Sequence, residues 1–150
     1  DLVYNRVATG LPRPRENFTA TFTCDDSIEM FADGISLGKD NGNWRKSTDF
    51  AIPGNTRVIS VAAEAWGFEF GILGSFSNGL VTNESWKCND TLYPGWSSPD
   101  FDDRNWSAAV VVAKHGASPW RNITGISMTA KWIWTASKGF ASIYCRLNLP

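Results

Sequence analysis

The stretch AWGFEFG, Ala65 to Gly71, sets Trp66, Phe68 and Phe70 around the carboxylate of Glu69. Rings beside an acid suit a polyhydroxylated ligand with one apolar face, of which galactose is an example. An aromatic ring stacks on the C3–C4–C5 face and the acid accepts from hydroxyls, a charge-assisted bond of roughly 1.5–3 kcal/mol before desolvation. The competing use is a strand whose Phe68 and Phe70 pack inward while Trp66 and Glu69 cover an edge; both uses stay open. A second stretch, HGASPWRN, carries the only histidine, His115, and the guanidinium fork of Arg121. Arg121 could hold hydroxyls, and His115 joins it as a secondary candidate contact, although a lone histidine more often serves as a hydrogen bonder within a loop.

Two stretches could hold a hard cation. In KDNGN, Asp40, Asn41 and Asn43 offer side-chain oxygens around Gly42, and calcium takes six to eight oxygens, backbone carbonyls included. The segment lacks the closing glutamate of an EF-hand loop, and a solvated hairpin end explains it equally simply. In GWSSPDFDDRNW, Gly95 to Trp106, Asp100, Asp102 and Asp103 alternate loosely enough to form a second-choice calcium site.

The remaining composition narrows the field. At 150 residues the chain is long enough for one domain with a real core. Its formal net charge is −1 with the cations scattered, which argues against a phosphate-binding surface for nucleic acid. No apolar run approaches the roughly 20 residues that span a bilayer, so membrane insertion is not expected. The chain opens at Asp1 without an apolar leader and carries five N-x-[ST] sequons, at Asn17, Asn83, Asn89, Asn105 and Asn122. Both features fit a mature secreted protein. Cys24, Cys88 and Cys145 have no C-x-x-C spacing, so a zinc cluster is not expected. Three pairings are open, and the leftover thiol is either buried or bridges to a second chain.

The elements that must position these residues read as strands. Gly and Pro punctuate the chain about every ten residues, a strand-and-loop spacing, and little helix is expected. Residues 1–17 read as an extended arm and residues 18–150 as a single domain. FTATFTC (Phe18–Cys24) alternates, and Ile28–Phe31 and Ile35–Leu37 flank Asp33-Gly34 as a type I′ hairpin. Further strands are expected at Arg57–Ala65, Phe68–Phe76, Leu80–Thr82, Ser85–Cys88, Ala108–Ala113, Lys131–Trp134 and Ser142–Leu149. Trp132 and Trp134 should share one strand face, with burial favoured over an exposed stacking platform. About ten short antiparallel strands with long loops describe an all-β sandwich of jelly-roll type.

TCDDSIEMFADGISLG resembles the strand, Asp-Asp, strand, turn, strand element of galactose-binding-like jelly rolls, with Ala32-Asp33-Gly34 where such domains usually have Val-Asn-Gly. SWKC, GWSSPDFDD-x-x-W, SPW, AKWIW and YCR then follow in the order seen in secreted invertebrate and microbial proteins. Similar pieces occur in accessory domains of rhamnosidases and β-galactosidases. The match runs from Phe18 to Leu149, and one lineage it resembles is that of the calcium-dependent, homodimeric galactose-binding lectins of sea anemones. The resemblance implies that Trp96, Phe101 and Trp106 plug a sandwich edge, with Asp102 or Asp103 capping a turn. The chain departs from the pattern at Trp66–Phe70 and at Arg121.

The combined expectation is a secreted, non-enzymatic lectin that binds terminal galactose, assisted by calcium and made bivalent by a homodimer. Cys145 lies in an interior-looking strand and Cys88 follows a Trp-Lys that the resemblance shares. These two are expected to pair, leaving Cys24 to link the dimer. A matrix or adhesion module without sugar binding is the alternative. A glycosidase would need two carboxylates about 5–10 Å apart, with Glu69 and the Asp100–Asp103 group as candidates. There is no G-x-S-x-G for a serine hydrolase.

Overall fold

A computed structural model describes residues 15–137 and 141–150; of the expected arm, residues 1–14 lie outside them. Among the described residues there is no helix and there are eleven strands: β1 (Phe18–Asp25), β2 (Ser27–Ala32), β3 (Ile35–Lys39), β4 (Thr48–Ile52), β5 (Val58–Ala65), β6 (Gly71–Phe76), β7 (Lys87–Asn89), β8 (Ser107–Ala108), β9 (Val110–Lys114), β10 (Lys131–Trp134) and β11 (Ala141–Asn148). They form two antiparallel sheets, β4-β1-β6-β10-β9 and β3-β2-β5-β11-β7-β8. The all-β sandwich expected from the alternation is therefore the fold. No helix among the described residues is long and apolar enough to cross a membrane.

Alternation determines what each face does. On β2, Ile28, Met30 and Ala32 point into the space between the sheets, whereas Phe31 points outward and stays half-buried. Phe22, Phe76 and Trp86 interlock at the centre, with ring centroids 5.3–6.3 Å apart. Each such side chain contributes roughly 1.5–3 kcal/mol by leaving water. Asp33 and Gly34, at φ 48° and 83°, form the expected tight hairpin between β2 and β3. The glycine-broken segment before Phe76 also explains itself: a Cβ on Gly74 would lie 2.4 Å from the Phe22 ring.

Several boundaries differ from expectation. β4 carried no strong signal, because three of its five side chains are at least partly exposed. Ala108–Ala113 divides into β8 and β9, which belong to different sheets. Leu80–Thr82 contributes only a bridge, Ser75 to Val81. The expected strand at Phe68 begins only at Gly71, leaving 66–70 as a loop. Trp132 and Trp134 part company: Val112 is left out of the β9–β10 register as a bulge, Trp132 joins a cluster on the outside of the five-stranded sheet, and Trp134 enters the core.

Two irregular segments cover the outer faces. Residues 115–130 lie on the five-stranded sheet, where Trp120 stacks on Trp132 at 4.4 Å beside Ile123, Ile126 and Leu73. Residues 93–106 lie on the six-stranded sheet, where the Trp96 ring meets Phe31 at 5.4 Å and Tyr144 at 5.0 Å. Beneath that second cover sits Arg146, 1% exposed, donating to Asp103 Oδ2 at 2.9 Å and to the carbonyls of Trp96, Ser98 and Phe101. GWSSPDFDDRNW is thus a corner held down by one buried guanidinium.

Cys88 and Cys145 face each other across β7 and β11 and are disulfide-bonded, as expected. The expected bridge through Cys24 is corrected by its position: Cys24 is a free thiol, 0% exposed, in the intersheet core. A link through it would require the sandwich to open.

Candidate functional site

At one end of the sandwich β1, β3 and β5 finish and β2, β4 and β6 begin, so their connections gather there. The dipeptide Asp25-Asp26, between β1 and β2, ties two of the neighbouring segments together. Asp25 Oδ2 accepts from the indole N–H of Trp120 at 2.9 Å, and Asp26 Oδ2 accepts from the backbone N–H of Trp66 at 2.6 Å. Burial pushes the Asp25 carboxyl up from 3.8 to about 6; the Trp120 bond opposes this, while Asp26 and the charge of Glu69 add to it. Glu69 therefore lies within electrostatic reach of the Trp120 anchor, though on a different loop.

The β3–β4 connection folds on its own side chains. Asp40 Oδ1 accepts from the N–H groups of Ile28 and Gly42 at 3.3 and 3.2 Å and from the Ser27 hydroxyl at 3.3 Å. Asn41 Oδ1 accepts from Asn43 N–H at 2.8 Å, and Asn43 Oδ1 from Arg45 N–H at 3.1 Å, two successive side-chain turns. Trp44 follows, its carbonyl held by the Thr23 hydroxyl at 2.8 Å and its ring 4.3 Å below the Arg45 guanidinium.

Between this connection and the cover on the five-stranded sheet lies an open cavity of about 380 Å³, lined by Trp44, Arg45 and residues 119–123. Opposite Trp44, the cover is shaped by His115. Its Nε2 accepts from Ile123 N–H at 2.8 Å, which leaves Nδ1 to donate to the Ser127 carbonyl at 2.9 Å. Arg121, exposed and at φ 60°, is held through its N–H to the Ala117 carbonyl at 2.9 Å.

The structure sorts the expected contacts. Arg121 lines the cavity. His115 is 4% exposed with both nitrogens engaged within the protein, so it shapes the loop that presents Arg121. Trp66, Phe68 and Glu69 are exposed on the β5–β6 loop at the same end but outside this cavity; Phe70 packs inward, against Trp134 at 5.5 Å. Trp44 and Arg45 are not among the contacts expected from sequence. An aromatic directly after an Asn-Gly loop is the available signal, but by residue type alone it belongs equally to a polar hairpin end.

Neither acidic stretch forms a cluster of three or more Asp, Glu, His or Cys side chains able to hold a metal among the described residues. Asp100, Asp102 and Asp103 face separate cations: Arg57 at 3.7 Å, Arg104 at 2.9 Å and Arg146 at 2.9 Å. Burial alone would raise the Asp103 carboxyl. The bonds from Arg146 and Asn148 and the charges of Arg146 and Lys87 outweigh it and hold Asp103 below the ordinary range. Asp40 differs, because its Oδ2 is buried without a hydrogen-bond partner among the described residues and burial raises its carboxyl. An orphaned carboxylate oxygen beside turn-forming asparagines fits one part of a calcium shell.

No family model matches the chain. An alpha-L-rhamnosidase of Streptomyces avermitilis is 27% identical over 143 residues, which cover 83% of this chain and 14% of that protein. The chain thus spans about one seventh of that relative. Among solved structures, the lectin of Pleurotus ostreatus superposes with a TM-score of 0.55, at 19% identity in its apo form and 20% in complex with GalNAc, over 77% of this chain and 37% of the lectin. The S. avermitilis alpha-L-rhamnosidase complexed with L-rhamnose superposes at 0.52, with 15% identity, over 93% of this chain and 21% of that one. These likenesses show the sandwich fold. The sea-anemone lineage gains no support from them.

Proposed function

We propose that the chain is a non-catalytic carbohydrate-binding module that holds a terminal galactose-type sugar in the cavity between Trp44 and the Pro119–Ile123 segment. The observation that carries this reading is the lining. Two indole rings, two guanidinium groups and an Asn amide surround a space of about 380 Å³, within the range of about 300–1,000 Å³ usual for ligand sites. The half-buried Trp44 ring, with the Arg45 guanidinium over one face, offers apolar contact at its exposed part, while Arg45 and Arg121 can only donate, which suits hydroxyl oxygens. The likeness to a lectin crystallised with GalNAc and to a rhamnosidase crystallised with L-rhamnose supports a sugar ligand.

The same lining supports binding over hydrolysis. Glycoside hydrolysis needs two carboxyl groups flanking the bond, about 5–10 Å apart. Among the described residues that line the cavity there is no Asp or Glu.

Calcium belongs to the proposal through Asp40, with Asn41 and Asn43 beside it as further oxygens. A bound calcium ion supplies a hard acceptor site for hydroxyl oxygens. The protein's own part is to hold the β3–β4 connection closed through Asp40 Oδ1 and to fix Trp44 at its end. Bivalency through a homodimer also remains proposed, now without a covalent link, since weak monosaccharide contacts gain from multiplicity.

A glycan array run with calcium and again with chelator tests the reading. Trp44→Ala should weaken binding about tenfold or more, equivalent to about 1.4 kcal/mol. Binding to terminal galactosides or GalNAc that disappears with both chelator and Trp44→Ala is the expected result. Preference for rhamnosides would keep the site and change the sugar. Absence of binding by the unglycosylated chain to any glycan in either buffer would end the proposal in favour of an adhesion module.

A further inference from the structure

The five sequon asparagines are not equivalent in the fold. Asn83 and Asn89 are half-buried and folded into their own turns: Asn83 Oδ1 accepts from the N–H and hydroxyl of Ser85, and Asn89 Nδ2 donates to the Thr91 carbonyl at 2.8 Å. Asn17 Oδ1 accepts from Gly54 N–H at 2.8 Å, at the entry to β1. Asn105 is exposed on the cover of the six-stranded sheet, beside the packed ring of Trp106. Asn122 is also exposed, and no hydrogen bond among the described residues engages its side chain. It lines the cavity between Trp44 and Trp120, with Ile123 buried behind it and Thr124 exposed at the hydroxyl position of the sequon.

We propose that Asn122 is an N-glycan attachment site, and that a glycan joined there fills the mouth of this cavity and closes it to other ligands. The covalent step uses a lipid-linked oligosaccharyl diphosphate as donor. The Nδ2–C1 bond forms as the bond between sugar C1 and diphosphate oxygen breaks; the lipid diphosphate leaves with the electron pair, and the amide releases one proton. The Cys88–Cys145 disulfide fits a chain that matures in the oxidising compartment where such transfer takes place. Attachment leaves the fold intact, because no bond to the Asn122 side chain is broken. The modification stands on the sequon and its exposure; the closing effect rests on the sugar-binding proposal.

The experiment compares the chain secreted from eukaryotic cells with the same chain made unmodified in bacteria. Intact mass and peptide mapping locate the glycans, and the array reads binding. Thr124→Ala, made in the eukaryotic host, removes the sequon while keeping Asn122; it serves better than enzymatic removal, which can leave a new carboxylate. A glycan at Asn122, loss of array binding in the glycosylated form and recovery in Thr124→Ala are expected. An unmodified Asn122 in a chain glycosylated elsewhere overturns the inference and leaves the sugar-binding proposal standing. A glycan at Asn122 with equal binding in both forms overturns the closing effect. Modification at Asn122 with no binding by either form overturns the sugar-binding proposal and the closing effect with it, while the attachment site itself is upheld.

Discussion

Arg146 has no solvent to fall back on: its guanidinium lies beneath the 93–106 cover, paired with Asp103 and three carbonyls. Truncating one partner of such a buried pair costs about 3–5 kcal/mol. Arg146→Ala should therefore lower the urea midpoint strongly, and a change below about 1 kcal/mol, the range of an exposed pair, would contradict its role as the anchor of the cover. The linked proton behaves accordingly. With its folded pKa held below the unfolded value, Asp103 contributes stability that is present above about pH 4 and is lost as pH falls through the folded value. Asp25 works in the opposite direction. Its pKa is raised from 3.8 to about 6, so charging it opposes folding, and stability declines as pH rises through that window. Asp25→Asn keeps an acceptor for the Trp120 indole and should flatten the decline between pH 4 and 6, read from urea midpoints across that range. Asp40, also raised by burial, leaves a residual slope of the same sign. At this scale the sequence was only partly informative. Asp-Asp was visible as part of a fold pattern, but which indole or N–H each carboxylate meets depends on segments 40 and 95 residues away. His115 illustrates the same limit, since burial rather than residue type determined its role.

Strands with clean alternation were legible because period-two burial leaves its mark on residue type. β1, β2, β5 and β11 all coincide closely with expected segments, and the Asp33-Gly34 turn was specified by local chemistry alone. β4 was not legible, because in TDFAI the exposed face carries Ala51 as well as Asp49, so the alternation of burial leaves little alternation in residue type. Trp132 and Trp134, two residues apart on β10, enter different clusters beside an irregularity in the β9–β10 register that the KWIW sequence cannot encode by itself. Packing between β1 and β6 yields a direct test. Gly74→Ala places a Cβ 2.4 Å from the Phe22 ring, and overpacking of this kind costs typically about 1–3 kcal/mol. Thermal melting should show a clear drop, and the double variant Gly74→Ala with Phe22→Leu should lose less than the sum of the two single changes. Strict additivity would mean that the two strands do not meet as described.

For the molecule as a whole, the Cys88–Cys145 bridge closes a separation of 57 residues between neighbouring strands. In the chain-entropy account a loop of that size corresponds to about 4 kcal/mol, so reduction or Cys88→Ala with Cys145→Ala should lower the melting temperature markedly. Under denaturing, non-reducing conditions the chain should run at the mass of one copy, because Cys24 is enclosed. A doubled mass that collapses with reductant would show that Cys24 reaches a second chain after all. The sandwich as a class was readable from composition and punctuation. Of its two covers, the resemblance pointed to a packed edge at Trp96, Phe101 and Trp106, but the course of residues 93–106 and 115–130 was not readable, since they have no period and take their shape from what lies beneath them: Arg146 in one case, Trp132 in the other.

Those covers restrict how any polymer could be gripped. Modules that bind the middle of a polysaccharide lay a long stretch of it along an open sheet, and here much of both broad faces is already occupied by the protein's own chain. The recess beside Trp44 is small and lies at a rim, so on the proposed reading it would take the tip of a branch rather than its trunk. A capped oligosaccharide with its outermost residue blocked should then compete poorly, however long its interior.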